Sequence, residues 1–193
     1  MELVFATNNA HKLQEITAMA GKFFTIKSLK DIQCFDEIPE TGDTLEANAL
    51  QKARYVYEKF GCNCFADDTG LEIEALDGAP GVYTARFAGE GCSFDDNMEK
   101  TLSLMQGKEN RKAVFRTVIA CIIDEEEYVF EGEVHGTIAT QKMGNEGFGY
   151  DPVFIPRGYQ ESFAQMPMSE KNKISHRARA CKEFLTFLHE ITN

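Results

Sequence analysis

Apolar positions along this chain change period several times, and each change predicts an element. Leu3, Val4, Phe5 and Ala6 form a short continuous apolar run, read as a first strand, after which Leu13, Ile16 and Met19 or Ala20 recur at helical spacing. Residues 24–28 predict a second strand. The turn Pro39-Glu40-Thr41-Gly42 leads into a helix with Leu45, Ala49, Ala53, Val56 and Phe60 as its buried stripe, and Asp43 with Glu46 fits a capping box. A further apolar run ends at Phe65-Ala66, where Asp67 and Asp68 precede Thr69-Gly70. This arrangement predicts two carboxylates at the point where a strand leaves its sheet and turns.

Leu71, Ile73 and Ala75 then alternate with Glu72 and Glu74 as a half-exposed strand, Gly78-Ala-Pro-Gly81 is a turn, and Ser93 caps a helix holding Met98, Leu102 and Met105. Residues 113–123 are rich in β-branched side chains, turn at 124–127 and continue to 138. They predict a long antiparallel hairpin, hence a mixed sheet and an elongated body. The glycine-rich run at 144–149 reads as a flexible loop, followed by Tyr150-Asp151-Pro152 and a strand at 153–155. Ser175 is the expected cap of a terminal amphipathic helix with Ala178, Cys181, Leu185, Leu188 and Ile191 on its buried face. No repeat, low-complexity tract or linker interrupts the chain, so residues 1–193 are expected to form one domain of two lobes.

Charge narrows the choice of partner. The 20 Lys and Arg against 31 Asp and Glu give a net charge of −11, a field that disfavours nucleic acid. A small anionic ligand is still accommodated where local Lys, Arg or a divalent cation offsets that background. The six cysteines lack Cys-x-x-Cys spacing, and the opening residues lack the basic and apolar segments of a secretory signal, so reduced thiols in a cytoplasmic protein are expected. Cys62-Asn63-Cys64 reads better as buried thiols than as half of a metal site, since no second pair stands at ligand spacing. No apolar run reaches the ~18 residues of a membrane helix, so no membrane partner is expected.

Three stretches carry candidate chemistry. The loop Thr7-Asn8-Asn9-Ala10-His11-Lys12 joins the first strand to the first helix; its amides face the helix N-terminus, where a phosphate is the natural guest and Lys12 would neutralise it. Capping of that helix by Asn8 or Asn9 explains the loop equally well, and the Gly-Lys-Ser/Thr of a Walker A loop is missing. Asp67-Asp68, with Glu40 just ahead of the second helix, offers either a carboxylate site or solvated turns. His176-Arg177 places cations at a helix N-terminus, which calls for an anionic or carbonyl-bearing ligand, or for a salt bridge to a neighbouring acid.

Taken together and in order, these stretches resemble the inosine triphosphate pyrophosphatase family, also called XTP/dITP diphosphatases. The likeness runs through Phe5-Ala-Thr-Asn-Asn-Ala-His-Lys12, Glu40-Thr-Gly-Asp-Thr-Leu-Glu-Ala-Asn-Ala49, Ala66-Asp-Asp-Thr-Gly-Leu71, Gly78-Ala-Pro-Gly-Val-Tyr-Thr-Ala-Arg86, Gly147-Phe-Gly-Tyr-Asp-Pro-Val-Phe154 and Ser175-His-Arg177. The resemblance implies an α/β, elongated, two-lobed fold with a long mixed central sheet flanked by helices and an active-site cleft between lobes. It also implies a cytoplasmic, homodimeric, Mg²⁺-dependent enzyme that hydrolyses ITP, dITP and XTP to the monophosphate and pyrophosphate. By the same likeness Thr7, Asn8, Asn9, Ala10, His11 and Lys12 form a triphosphate clamp, Asp68 is the catalytic carboxylate aided by Lys12, and Glu40 with Asp68 binds the metal. Thr69 is similar to the substrate-contacting hydroxyl residue after the catalytic Asp. Phe148 resembles the base-stacking residue within Phe148-Gly149-Tyr150-Asp151, and Lys171, His176 and Arg177 resemble base-reading groups. Thr69 stands where many members have Ser, and Asn8-Asn9 occupies a loop that elsewhere often contains Gly.

The chemistry follows from these groups. Asp68 accepts a proton from, or positions, the attacking water; Lys12 screens the leaving pyrophosphate, and Asp67 is either a second ligand or a structural neighbour. Arg177 and a protonated His176 can donate to a 6-keto oxygen, whereas adenine presents an amino group there. A Maf-type nucleotide pyrophosphatase is the second enzymatic reading, against which His176-Arg177 and the Phe148 segment argue. A nucleotide-binding protein without chemistry is the third.

Overall fold

The first apolar run, Glu2–Phe5 (β1), pairs in parallel with Thr25–Lys27 (β2) on one side and Cys64–Ile73 (β3) on the other in the computed structural model, which describes residues 1–192. Pro80–Gly81 (β4) pairs antiparallel with β3 through Leu71↔Gly81 and Glu72↔Pro80. Lys112–Ile123 (β5) and Glu126–Ile138 (β6) form the expected hairpin, turning on Asp124 and Glu125, whose φ of 50° and 75° give the two left-handed residues that match strand twist. Phe154–Pro156 (β7) joins β6 antiparallel. The sheet has seven strands in the order β2-β1-β3-β5-β6-β7, with β4 beside β3, and is mixed as the hairpin implied. Helices Ala10–Ala20 (α1), Leu45–Phe60 (α2), Phe94–Met105 (α3), Met168–Ile174 (α4) and His176–Thr192 (α5) complete an α/β fold.

The chain divides into two compact units. Unit 1 comprises Met1–Asp68, Thr117–Gly132 and the chain from Arg177 onward, and unit 2 comprises Thr69–Arg116 and Glu133–His176. In unit 1, β1, the first half of β3 and β5 from Thr117 onward are buried on both faces, which is why they read as continuous apolar runs. Leu3, Phe5, Phe65, Ile119 and Cys121 meet Ile16 of α1 and Phe184 and Leu188 of α5 on one face. Val4, Ala6, Cys64, Ala66 and Ile122 meet Ala53 and Val56 of α2 on the other. Phe5 and Phe65 stack with centroids 4.5 Å apart across the β1–β3 pair. Unit 2 is built around Leu71, Ile73, Phe115, Phe154, Phe163 and Tyr150, with Met98 and Met105 of α3.

Several local expectations need correcting. Asp67 and Asp68 do not lie in a turn: β3 runs through them to Ile73, and what ends beside them is β1, whose pairing stops at Phe5↔Phe65. Thr69-Gly70 therefore acts as strand, not punctuation. Ala75 falls in a 3-10 turn at Glu74–Leu76 beyond the strand, and 78–81 closes by pairing with β3. Helix α2 is capped by Thr44, whose hydroxyl accepts from the Ala47 amide, and not by an Asp43/Glu46 box. The Ser93 cap is present, with Asp96 completing a capping box. Residues 168–174 form a short helix that the apolar pattern did not predict. The buried face of α5 is Ala178, Ala180, Cys181, Phe184 and Leu188, with Ile191 exposed. All six cysteines are free, and burial pushes the thiols of Cys64, Cys121 and Cys181 up to about 12. Among the described residues no helix is long and apolar enough to cross a membrane.

Candidate active site

Strand periodicity sorts the two aspartates. Side chains alternate across a strand, so Asp67 follows Phe65 onto the face covered by α1 and α5, while Asp68 follows Ala66 onto the face covered by α2. The helices present different chemistry to the two carboxylates. On the first face Lys12 Nζ of α1 donates to Asp67 Oδ1 at 2.9 Å, and Arg177 Nε of α5 donates to Asp67 Oδ2 at 3.1 Å. Arg177 Nη1 also binds Glu15 Oε2 at 2.6 Å, and Arg177 is 1% exposed. On the second face Asn48 Nδ2 of α2 donates to Asp68 Oδ2 at 3.1 Å. Burial alone would raise Asp67, but the charges of Lys12, Arg177 and Lys52 outweigh it and hold that carboxyl well below the usual range. Asp68 goes the other way: burial raises it and Glu40 adds to the rise, against the pull of Lys52 and Lys12.

Helix α2 also positions Glu40. Asn48 Oδ1 accepts from the Gly42 amide at 2.7 Å, and Gln51 exchanges hydrogen bonds with Thr41 at 2.8 and 3.0 Å. A Cβ on Gly42 would lie 2.7 Å from Ala47 Cβ and 2.9 Å from Asn48 Oδ1, so only glycine allows this approach. Lys52 Nζ donates to the Asp67 carbonyl at 2.7 Å and to the Glu40 carboxylate. Burial opposes the charge on Lys52, yet Glu40, Asp68 and Asp67 together raise its pKa. Among the described residues no group of three His, Cys, Asp or Glu side chains is disposed to hold a metal. Glu40 and Asp68 are hard oxygen donors of the kind Mg²⁺ takes, commonly one or two carboxylates with water and substrate phosphate completing its shell.

The Thr7–Lys12 loop is ordered by its own side chains. Asn9 is the N-cap of α1, accepting from the amides of His11 at 3.0 Å and Lys12 at 3.2 Å, while its own amide donates to Thr7 Oγ1 at 3.1 Å. Capping thus accounts for Asn9, and Asn8, Ala10 and His11 are exposed at the same helix end.

Unit 2 holds the other residues singled out by the sequence. Thr69 is half-buried on β3. The 144–149 loop, expected to be flexible, is tied by hydrogen bonds: the Glu146 amide donates to Ala164 O at 2.9 Å, the Phe148 amide to Asp151 Oδ2 at 3.0 Å, and the Asp151 amide back to Phe148 O at 3.2 Å. Lys171 Nζ pairs with Asp151 Oδ2 at 2.6 Å, both side chains nearly sealed from solvent, and lies 4.9 Å from the Phe148 ring centroid. Phe94, the first residue of α3, flanks Phe148 with centroids 6.0 Å apart. Gly149 is half-buried, and Tyr150 is buried with its hydroxyl donating to Thr84 O at 2.7 Å. His176 is buried and stacks on Phe115 at 4.5 Å with 10° between planes.

The residues brought together in unit 1 are therefore Lys12, Glu40, Asp67, Asp68 and Arg177, and in unit 2 Phe148, Asp151 and Lys171. Asn48, Lys52, Glu15, Phe115 and Phe94 were missed. A signal existed for the first two: residues 45, 48, 49, 52, 53 and 56 follow one helical stripe, and all six are buried.

A family model described as Ham1 family matches residues 3–187. The chain belongs to the Ham1 family. Its Ham1 relatives include proteins named dITP/XTP pyrophosphatase from Porphyromonas gingivalis, 53% identical over 97% of each chain, and from Flavobacterium johnsoniae, 49% identical over 97% of this chain and 98% of that one. Among solved structures, the Ham1 protein of Staphylococcus aureus superposes with a TM-score of 0.89 at 36% identity, covering 98% of this chain and 99% of that one. The family resemblance drawn from the motifs and the mixed α/β fold expected from it both agree with these matches.

Proposed function

We propose that this Ham1-family chain is a Mg²⁺-dependent pyrophosphatase that hydrolyses dITP, ITP and XTP to the nucleoside monophosphate and pyrophosphate. The substrate class is supported by relatives named dITP/XTP pyrophosphatase that match nearly end to end. The observation that carries the chemistry is the separation of Asp67 from Asp68 by strand alternation, one carboxylate hydrogen-bonded to Lys12 and Arg177 and the other held by Asn48 near Lys52 and Glu40.

In this reading Glu40 and Asp68 hold the metal, which when bound supplies charge neutralisation at the phosphates and a more acidic water. Asp68, with its pKa raised by burial, takes the proton of the water that attacks the α-phosphorus; the α–β anhydride bond breaks and the pyrophosphate leaves with its electron pair. Asn48 fixes the Asp68 carboxylate, and Lys12, seated by Asp67, offers positive charge to the departing phosphates. Base recognition is assigned to Phe148 as stacking face and to Lys171 and His176 as polar readers. Arg177, whose Nε and Nη1 bind Asp67 and Glu15, is assigned to holding Asp67 in place of the base-reading role. The reading includes a homodimer, supported by family likeness alone, and a cytoplasmic setting, supported by the six free thiols.

The deciding experiment incubates the protein with Mg²⁺ and a panel of nucleoside triphosphates, measuring pyrophosphate and orthophosphate separately. Pyrophosphate released from dITP and XTP far faster than from ATP is the expected result. Orthophosphate, or no release in the presence of binding, would reject it.

The Asp151 carboxylate latches the Phe148 segment through the Phe148 amide and Lys171, and this latch is tested independently by Gly147→Ala. Gly147 has φ of 71°, and a Cβ there would overlap the Asp151 carboxylate that binds Lys171 and the Phe148 amide. The variant is expected to raise KM for dITP about tenfold, roughly 1.4 kcal/mol, with a smaller change in kcat. An unchanged KM would show that the latch does not serve the base.

A further inference from the structure

The ammonium of Lys52 stands where a metal's charge would be needed. It is 7% exposed, donates to the Glu40 carboxylate and the Asp67 carbonyl, and is drawn electrostatically toward Asp68 as well. Lys12 also attracts Asp68, but its hydrogen bond goes to Asp67 Oδ1. We infer that Lys52 is an internal counter-ion that competes with a divalent cation for Glu40 and Asp68, so that the nucleotide-free protein binds metal weakly and metal is retained once nucleotide phosphates join it.

The inference rests on the reading of Glu40 and Asp68 as the metal's ligands. A carboxylate already paired with an ammonium has surrendered much of its attraction for a second cation, and the ammonium itself repels a dication a few ångströms away. A triphosphate changes both terms. It adds negative charge that holds the metal, and its oxygens give the ammonium another acceptor, which releases Glu40. Metal and nucleotide then strengthen one another's binding, and by linkage the coupling is the same in either direction. Without Lys52 the carboxylate pair would take metal unaided and much of that coupling would disappear.

The test measures free Mn²⁺ by electron paramagnetic resonance during titration of nucleotide-free protein, then repeats it with a non-hydrolysable ITP analogue. Lys52→Met and Lys52→Gln, the latter keeping an amide donor for the Asp67 carbonyl, are checked for folding by circular dichroism. Both are expected to bind Mn²⁺ about tenfold more tightly than wild type, and the analogue to tighten Mn²⁺ binding by a correspondingly smaller factor. Equal or weaker Mn²⁺ binding in a folded variant overturns the counter-ion role. So does wild-type protein whose Mn²⁺ affinity the analogue leaves unchanged, a result that needs no variant. Asp68→Asn separates the layers: if it leaves Mn²⁺ binding intact, the ligand assignment itself fails, whereas if it abolishes binding while the Lys52 variants show no tightening, only the competition fails.

Discussion

Asp68→Asn is expected to lower turnover of dITP by about a thousandfold while leaving nucleotide affinity measured in the absence of metal within a few-fold of wild type. The amide has nearly the shape of the carboxylate and can still accept from Asn48 Nδ2, so the geometry around α2 persists. What it removes is the proton acceptor and one of two anionic ligands. Stability is expected to move the other way. Burial and Glu40 raise the Asp68 pKa, which means that folding disfavours its charged form, and a neutral isostere relieves that cost. Thermal unfolding should therefore occur at the same temperature or higher, a combination that simple misfolding cannot produce. Pyrophosphate release, equilibrium nucleotide binding and calorimetry on one preparation decide the matter. Near-normal turnover with intact binding would end the assignment of Asp68.

The sequence made much of this site legible because its parts lie in elements with strong periodic signals. The run at 3–6, the α2 stripe and the 113–138 hairpin were readable, and the loop before Lys12 sits where a strand–helix entry must place it. Three things were hidden for definable reasons. Thr69-Gly70 looked like a turn, since local propensity says nothing of the strand pairing that carries β3 through it. Asn48 and Lys52 occupy core-facing positions of α2, but a stripe defined by apolar residues passes over them, and their burial depends on partners 20 and 15 positions later at Asp68 and Asp67. The partner of Arg177 was open to two interpretations, because a cation on a first helical turn is satisfied equally well by a ligand or by an acid of the same chain. The contacts with Asp67 and Glu15 span 110 and 162 residues, and only the folded chain brings them together.

That long-range contact makes Arg177→Met the most destabilising of the changes considered. Removing one partner from a buried ion network costs about 3–5 kcal/mol, because Asp67 loses one of its three cations and Glu15 its 2.6 Å ion pair. For a chain of this size that corresponds to a fall in unfolding temperature of roughly 10 °C. The pH dependence has a definite sign. Asp67 is held below its ordinary value, about 3.9, so its contribution to stability is complete above that value and is lost as pH falls through the lower folded one. With Arg177 gone the depression is smaller, and acid unfolding should begin at a higher pH than in wild type. Adding Glu15→Gln should recover part of the loss, since the second substitution removes a buried charge instead of leaving it beside an apolar side chain. Activity distinguishes the two roles open to Arg177. If it acts by holding Asp67, and through Asp67 the Lys12 ammonium, the variant loses dITP, ITP and ATP turnover in proportion. A loss confined to the 6-keto substrates would return Arg177 to the base and leave Lys12 to be positioned by Asp67 alone.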